Sequence, residues 1–279
     1  MRESPWPRPY KAAISFTMDN LGEAQDVNKG VWQQAIGTHF SIKNQIPRML
    51  DILDKYGLKA TYFTESWSLD VYPGTINELS RRGHEVAWHG YQHEVWSSLS
   101  AEEEELNFQK SFAAAAKRRV KYHGFRPPGG TINERTYEML RKHGVSYVSP
   151  LGELGIDRGV VVLPFEWKTV DAHYYMEKFS GIRKSLGDQE DVMSPSDFRE
   201  YLFSKISETV KTHGYISILF HPFLQTSEDK FTVLNDVLER LSSDPDIWCA
   251  PCKDVAAWVS DHADSFASGR PSDNEPNSK

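Results

Sequence analysis

The chain has 279 residues, with 32 Lys and Arg against 39 Asp and Glu, ten His and two Cys, for a formal charge of -7. That length suits an α/β domain with a substantial core, and the acidic balance argues against nucleic-acid or anionic-membrane partners, which would repel it. No stretch approaches the ~20 apolar residues needed to cross a bilayer, and two cysteines cannot build a disulfide scaffold.

Residues 1–9 are polar and Pro-rich with no apolar secretory core, so the expected location is cytoplasmic. The first strand pattern is 12–18 (AAISFTM), and Thr17-Met18-Asp19-Asn20 stands at its end. Helical periodicity over 46–56 leads to a strand at 60–64, a helix at 75–82 and a strand at 85–88, which runs into Trp88-His89-Gly90-Tyr91-Gln92-His93-Glu94. A helix over 101–120 opens with Ser100 as cap and an acidic first turn. A short strand at 124–126 runs into Arg126-Pro127-Pro128-Gly129-Gly130, and a helix at 133–143 follows. Weaker and stronger strand signals stand at 146–149 and 160–163. Residues 177–194 mix charges with Gly181 and Gly187 and read as a long loop, a candidate lid. Then come a helix at 196–212, a strand at 215–220 ending on His221-Pro222-Phe223, a helix at 231–241, a short strand at 246–250 and a last helix at 253–259. The polar stretch 265–279 reads as a disordered tail, leaving one domain over 1–264.

Gly57, Gly83, Gly144 and Gly214 each punctuate a helix end before a strand, the mark of right-handed βαβ crossovers and a mostly parallel sheet. The expected fold is a distorted (β/α) barrel of seven or eight strands, with its chemistry on the loops after the C-terminal strand ends. The Trp248-Cys249-Ala250-Pro251-Cys252-Lys253 run imitates a thioredoxin redox site. Too little chain follows it for that domain, and Cys249 reads better as a small buried apolar residue.

Four polar clusters therefore converge on one face. His89 and His93 are four apart, and on a helical turn that spacing puts both imidazoles on one side. With Asp19 they make a two-His, one-carboxylate set of the kind zinc accepts; the competing reading is an incidental pair. Glu94 does not fit the HExxH pattern of zinc proteases and reads as a surface or supporting residue. Asp19 reads as a site carboxylate or as a turn residue. The two prolines after Arg126 fix its backbone for a buried ion pair. His221 is a general acid or a hydrogen-bonded core histidine. Trp67, Trp88, Tyr91 and Trp96 form either a platform for a flat ligand or ordinary loop packing.

The order Thr-x-Asp-Asn, GHEVAWHGYQHE (83–94), FRPPGG (125–130) and LFHPF (219–223) resembles the polysaccharide deacetylase (NodB-homology) family over nearly the whole chain. With IPRMLDILDKYGLKATYF (46–63), it is most similar to the intracellular peptidoglycan-deacetylase-like and allantoinase-like branch. The resemblance implies hydrolysis of a carbon–nitrogen amide bond in an N-acetylated sugar or related small amide. It also implies a divalent metal, most commonly zinc, on His89, His93 and an oxygen from Asp19 or Asn20. In one registration Asp19 is the base and Asn20 stands where the family has an acidic ligand; in the other Asp19 is the ligand and the base is missing. By the same resemblance Arg126 would orient Asp19, Gly129 would take the place of a family tyrosine and supply an N–H to the oxyanion, and His221 would protonate the leaving amine. Trp88 and Trp67 are the expected sugar contacts. Two further readings stand beside the deacetylase: a cyclic ureide or imide hydrolase, allantoinase-like and metal-free, and a non-catalytic binding protein with a degenerate site. The resemblance also implies a homo-oligomer, with a small-molecule or carbohydrate partner.

Overall fold

A computed structural model describes residues 3–266. Nine strands form one sheet: β1 (Ala12–Asp19), β2 (Thr61–Thr64), β3 (Glu85–Trp88), β4 (Gly124–Phe125), β5 (Tyr147–Val148), β6 (Gly155–Asp157), β7 (Val160–Val162), β8 (Tyr215–Phe220) and β9 (Ile247–Cys249). The helices are α1 (Ala24–Asn28), α2 (Ile46–Lys55), α3 (Ser68–Val71), α4 (Pro73–Arg81), α5 (Ala101–Arg118), α6 (Glu134–Lys142), α7 (Asp171–Tyr175), α8 (Ser180–Ser185), α9 (Pro195–Thr212), α10 (Glu228–Ser243) and α11 (Cys252–Asp261). Strand order along the sheet is β6-β7-β5-β4-β3-β2-β1-β8. All pairings are parallel except β6 with β7. The sheet curls into an incomplete (β/α) barrel, and beyond β8 the chain after β7 adds a single parallel bridge, Val170 to Leu219.

One edge of β1 is shared. Its first half, Ala12 to Ile14, pairs with β9, and its last, Thr17 to Asp19, pairs with β2. The expected strand at 246–250 is thus a wedge at the barrel floor. The antiparallel β6, which the sequence reading omits, closes on β7 through Arg158 and Gly159, both at positive φ, the geometry a two-residue hairpin turn demands.

Side chains alternate strictly about the sheet. Ile14, Phe16 and Met18 of β1, Val86 and Trp88 of β3 and Ile216, Ile218 and Phe220 of β8 pack outward against the helices. Ala13, Phe63, Ala87, Tyr147, Val161 and Leu163 fill the interior with α11 beneath them. A Cβ on Gly124 would lie 1.8 Å from Tyr147 Cζ, so only glycine lets that ring cross the barrel. At the floor, buried Glu85 accepts hydrogen bonds from Thr61 Oγ1 (2.7 Å), Tyr147 Oη (3.0 Å) and the Lys253 N–H (2.9 Å), and the Cys252 N–H donates to Thr61 Oγ1 (2.7 Å). These bonds cap the first turn of α11. Burial pushes the Glu85 carboxyl up to about 7.

Residues expected as a structureless loop at 177–194 instead carry a 3₁₀ turn (Glu177–Phe179), α8 and the cap of α9. Arg183 is buried and donates to the carbonyl oxygens of His173 (2.7 Å), Met176 (2.9 Å) and Glu190 (2.7 Å). Those bonds, made to backbone, replace the apolar periodicity that a sequence reading looks for. Of the expected tail, Ser265 closes a 3₁₀ turn and Phe266 packs on Trp6 at 5.2 Å; the rest lies outside the described residues. Both cysteines are free, and burial raises both thiols, Cys249 to about 12, which suits a packing role rather than redox chemistry. No helix among the described residues is long and apolar enough to cross a membrane.

Candidate active site

The alternation that fills the interior also delivers the polar groups to the barrel mouth. Counting in twos from Ala13 gives Ser15, Thr17 and Asp19; from Glu85 it gives Ala87 and His89; from Tyr215 it gives Ser217, Leu219 and His221. Arg126 directly follows β4 and is 1 % exposed. Its Nη1 donates to Asp19 Oδ1 (2.9 Å) and Thr17 Oγ1 (2.9 Å), and its Nη2 to Ser149 Oγ (3.0 Å) and Ser217 Oγ (2.8 Å). Phe63 lies against the guanidinium at 4.1 Å. The expected ion pair is present, and with Nε also donating to Ser149 Oγ (3.3 Å) every donor is used, which is what makes a buried cation tolerable.

Asp19 Oδ2, the oxygen Arg126 does not take, lies 3.7 Å from His89 Nε2. His89 Nδ1 is 2.7 Å from the Arg126 carbonyl oxygen. The two imidazole centroids are 4.8 Å apart, although the residues between them form a tight turn rather than the helical turn assumed from their spacing. His93 sits at φ 63°. Glu94 makes the turn by accepting the Tyr91 and Gln92 N–H groups at 3.0 and 2.9 Å, a supporting role. Burial lowers His89 to about 3 and takes His93 well below the ordinary imidazole range, so both are neutral at physiological pH.

His221 donates from Nδ1 to Asp171 Oδ1 (2.6 Å), and its backbone N–H reaches Asp171 Oδ2 (2.7 Å). Gln225 Nε2 also donates to Asp171 Oδ2, at 2.8 Å. Asp171 is fully buried. The sequence reading missed it; the available signal was a carboxylate directly after the apolar Val170, which extends the sheet beside Leu219.

Asn20 does not face the imidazoles. It takes φ 64°, and its Nδ2 donates to Glu65 Oε1 (2.9 Å) while the Leu21 N–H takes the other oxygen (2.7 Å). Burial pushes Glu65, another residue the sequence reading passed over, up to about 8. This corrects the expectation that Asn20 lies with the metal-holding set. Among the described residues no group of three His, Cys, Asp or Glu side chains is arranged to hold an ion. Asp19 keeps Oδ2 free of Arg126, but the Gln25 amide nitrogen lies 2.8 Å from His93 Nδ1 and, as a donor, leaves the ring proton on the nitrogen an ion would need. The donor set does not fit the expected zinc.

Trp88 is likewise corrected as a sugar contact. It is fully buried and points outward, packed among Trp96, Phe108, Phe112 and Phe125 at 5.4, 4.5, 5.5 and 4.2 Å. Tyr91 faces Lys110 of α5, so the four aromatics form no common platform. Trp67 is half-buried at the start of α3. Gly129 is exposed at φ 87°, and a Cβ there would meet nothing within 4 Å, leaving room where a side chain would stand.

Residues 36–148 match the family model for polysaccharide deacetylase. That stretch, less than half of the chain, is similar to the polysaccharide deacetylase family. The matched region includes His89, His93 and Arg126, while Asp19, Asp171 and His221 flank it. A peptidoglycan deacetylase of Helicobacter pylori is 29 % identical over 147 residues, 52 % of this chain and 47 % of that protein. A peptidoglycan-N-acetylglucosamine deacetylase of Bacillus cereus is 30 % identical over 105 residues, 37 % of this chain and 48 % of that one. The chain thus aligns with about half the length of these curated relatives. In fold, a putative polysaccharide deacetylase from Mycobacterium smegmatis matches 97 % of this chain and 96 % of its own, with TM-score 0.80 and 24 % identity. A structure titled Puue Allantoinase matches 93 % and 94 %, with TM-score 0.73 and 16 % identity. The fold shared with these two structures accounts for the curled sheet and for the face on which the polar groups gather.

Proposed function

We propose that this protein hydrolyses a carbon–nitrogen amide bond, removing the acetyl group from an N-acetylated sugar or a related small amide. The observation that carries this reading is the meeting, at one barrel mouth, of two differently supported groups: Asp19 held by Arg126, and His221 held by Asp171. A base and an acid with separate partners are what amide cleavage requires. Asp19 Oδ2 takes a proton from a water whose oxygen bonds to the acyl carbon. His221, whose Nδ1–H is held by Asp171 and whose imidazolium that carboxylate would stabilise, gives a proton to the departing nitrogen as the C–N bond breaks. The free backbone N–H near Gly129 supports the oxyanion. The names of the Helicobacter and Bacillus relatives favour an N-acetylglucosamine unit as substrate.

One observation favours a second reading, the opening of a cyclic ureide or imide without an ion: Asn20 turns to Glu65 and away from the imidazoles. Incubation of the purified protein with chitotetraose and, separately, with a hydantoin, with NMR detection of acetate and of the ring-opened acid, distinguishes them. Acetate release that falls at least ~100-fold in Asp19→Asn is the expected result. Ring opening with no acetate transfers the conclusion to the second reading, and turnover of neither class removes the hydrolase reading.

A further inference from the structure

The two imidazoles of the GYQ turn present opposite hydrogen-bonding faces to the site. His89 Nδ1 lies 2.7 Å from the Arg126 carbonyl oxygen. A carbonyl only accepts, so the proton sits on Nδ1, and Nε2 offers a lone pair toward Asp19 Oδ2, 3.7 Å away. His93 Nδ1 instead lies 2.8 Å from the amide nitrogen of Gln25. An amide nitrogen has hydrogens to give and no lone pair to accept with, so Nδ1 is the acceptor and the proton of this neutral ring sits on Nε2. One ring offers an acceptor, its neighbour a donor.

Gln25 is well placed to impose this. It belongs to α1, the short helix after β1, and the preceding Glu23 is buried and anchors that segment. Glu23 Oε1 accepts the Gly37 N–H at 2.7 Å, and its other oxygen accepts the Tyr72 hydroxyl. On the other side, Glu94 fixes the turn that carries His93. Both ends of the Gln25–His93 contact are therefore held by buried or partly buried carboxylates on separate loops.

We infer that Gln25 is a positioning residue that fixes His93 as an Nε2–H donor for the scissile carbonyl oxygen, while His89 Nε2 and Asp19 Oδ2 together accept from the attacking water. This rests on the hydrolase reading and adds to it a role for each imidazole that an ion-holding pair does not have. An ion would need the lone pair at His93 Nε2, which the Gln25 contact removes. Metal-ligating histidines present their other nitrogen as a donor, to a carbonyl or carboxylate; His89 does so and His93 does not.

The decisive variant is Gln25→Glu. Nearly the same size, its carboxylate accepts only, drawing the His93 proton to Nδ1 and freeing Nε2. Long-range ¹H–¹⁵N NMR of the side chains is expected to find His93 as the Nε2–H tautomer in the native protein and as Nδ1–H in the variant. In the variant, kcat is expected to fall ~100-fold with KM little changed, the size of losing one oxyanion donor. Zinc affinity by calorimetry is expected to rise about 10- to 100-fold. An Nδ1–H tautomer for His93 in the native protein overturns the inference even if the variant does not fold. So does a variant that switches tautomer with kcat and zinc affinity unchanged. Should no amide be hydrolysed at all while the tautomer is as expected and Gln25→Glu raises zinc affinity, the hydrolase reading falls and the assignment of the Gln25 contact stands.

Discussion

The two ends of the barrel solve the same problem differently. At the floor, Glu85 is surrounded by neutral donors, two hydroxyls and a helix N–H, and burial pushes it up to about 7. At the mouth, Asp19 has a guanidinium whose remaining hydrogens are absorbed by Thr17, Ser149 and Ser217. Both carboxylates point inward by the same alternation of side chains. The difference lies in the partner: neutral donors make a plug, and at the mouth a full opposite charge balances the buried carboxylate.

Removing the charge at the mouth gives the largest expected effect. Arg126→Leu leaves Asp19 buried and unpaired and is expected to cost about 3–5 kcal/mol in a urea titration; a loss below about 1 kcal/mol would place the ion pair in water-like surroundings. Next comes Asp171→Asn, which keeps the shape but weakens the support for an imidazolium. It should lower kcat about 100-fold or more with little change in unfolding midpoint, and an unaltered kcat would remove His221 from the proton path.

At the floor the expected effect is smaller and depends on pH. Glu85 is raised from 4.5 to about 7, so between these values the unfolded chain releases its proton while the folded one keeps it. Stability from this group is therefore full below ~4.5, falls as pH rises toward 7, and is flat beyond. Glu85→Gln is expected to flatten that slope in thermal melts taken from pH 4 to 8, and a slope identical to the native protein's would count against it. The smallest effect is expected at the exposed Arg48–Glu228 pair of α2 and α10: Arg48→Ala should cost under about 1 kcal/mol, the baseline for an ion pair outside the barrel.

The mouth was far more legible from the sequence than its supports. Asp19, His89, Arg126 and His221 each stand at the end of an apolar run, where strand alternation and barrel topology announce them. Asp171, Glu65 and Gln25 act through partners 50, 45 and 68 residues away, and nothing local marks such pairings. Strands with many outward apolar residues, β1 and β8, were read nearly to the residue. The hairpin of β6 was passed over because its signal is the Asp157-Arg158-Gly159 turn rather than an apolar run. Trp88 shows the reverse error: an aromatic beside a functional histidine on the same strand necessarily faces the opposite side of the sheet.

Arg183 binds its neighbourhood almost wholly through main-chain oxygens. Every residue type offers such an oxygen, so the hold of Arg183 on this segment does not depend on which side chains Met176 and Glu190 carry. The exposed positions of this stretch can thereby vary while the neighbouring Asp171–His221 pair keeps its geometry.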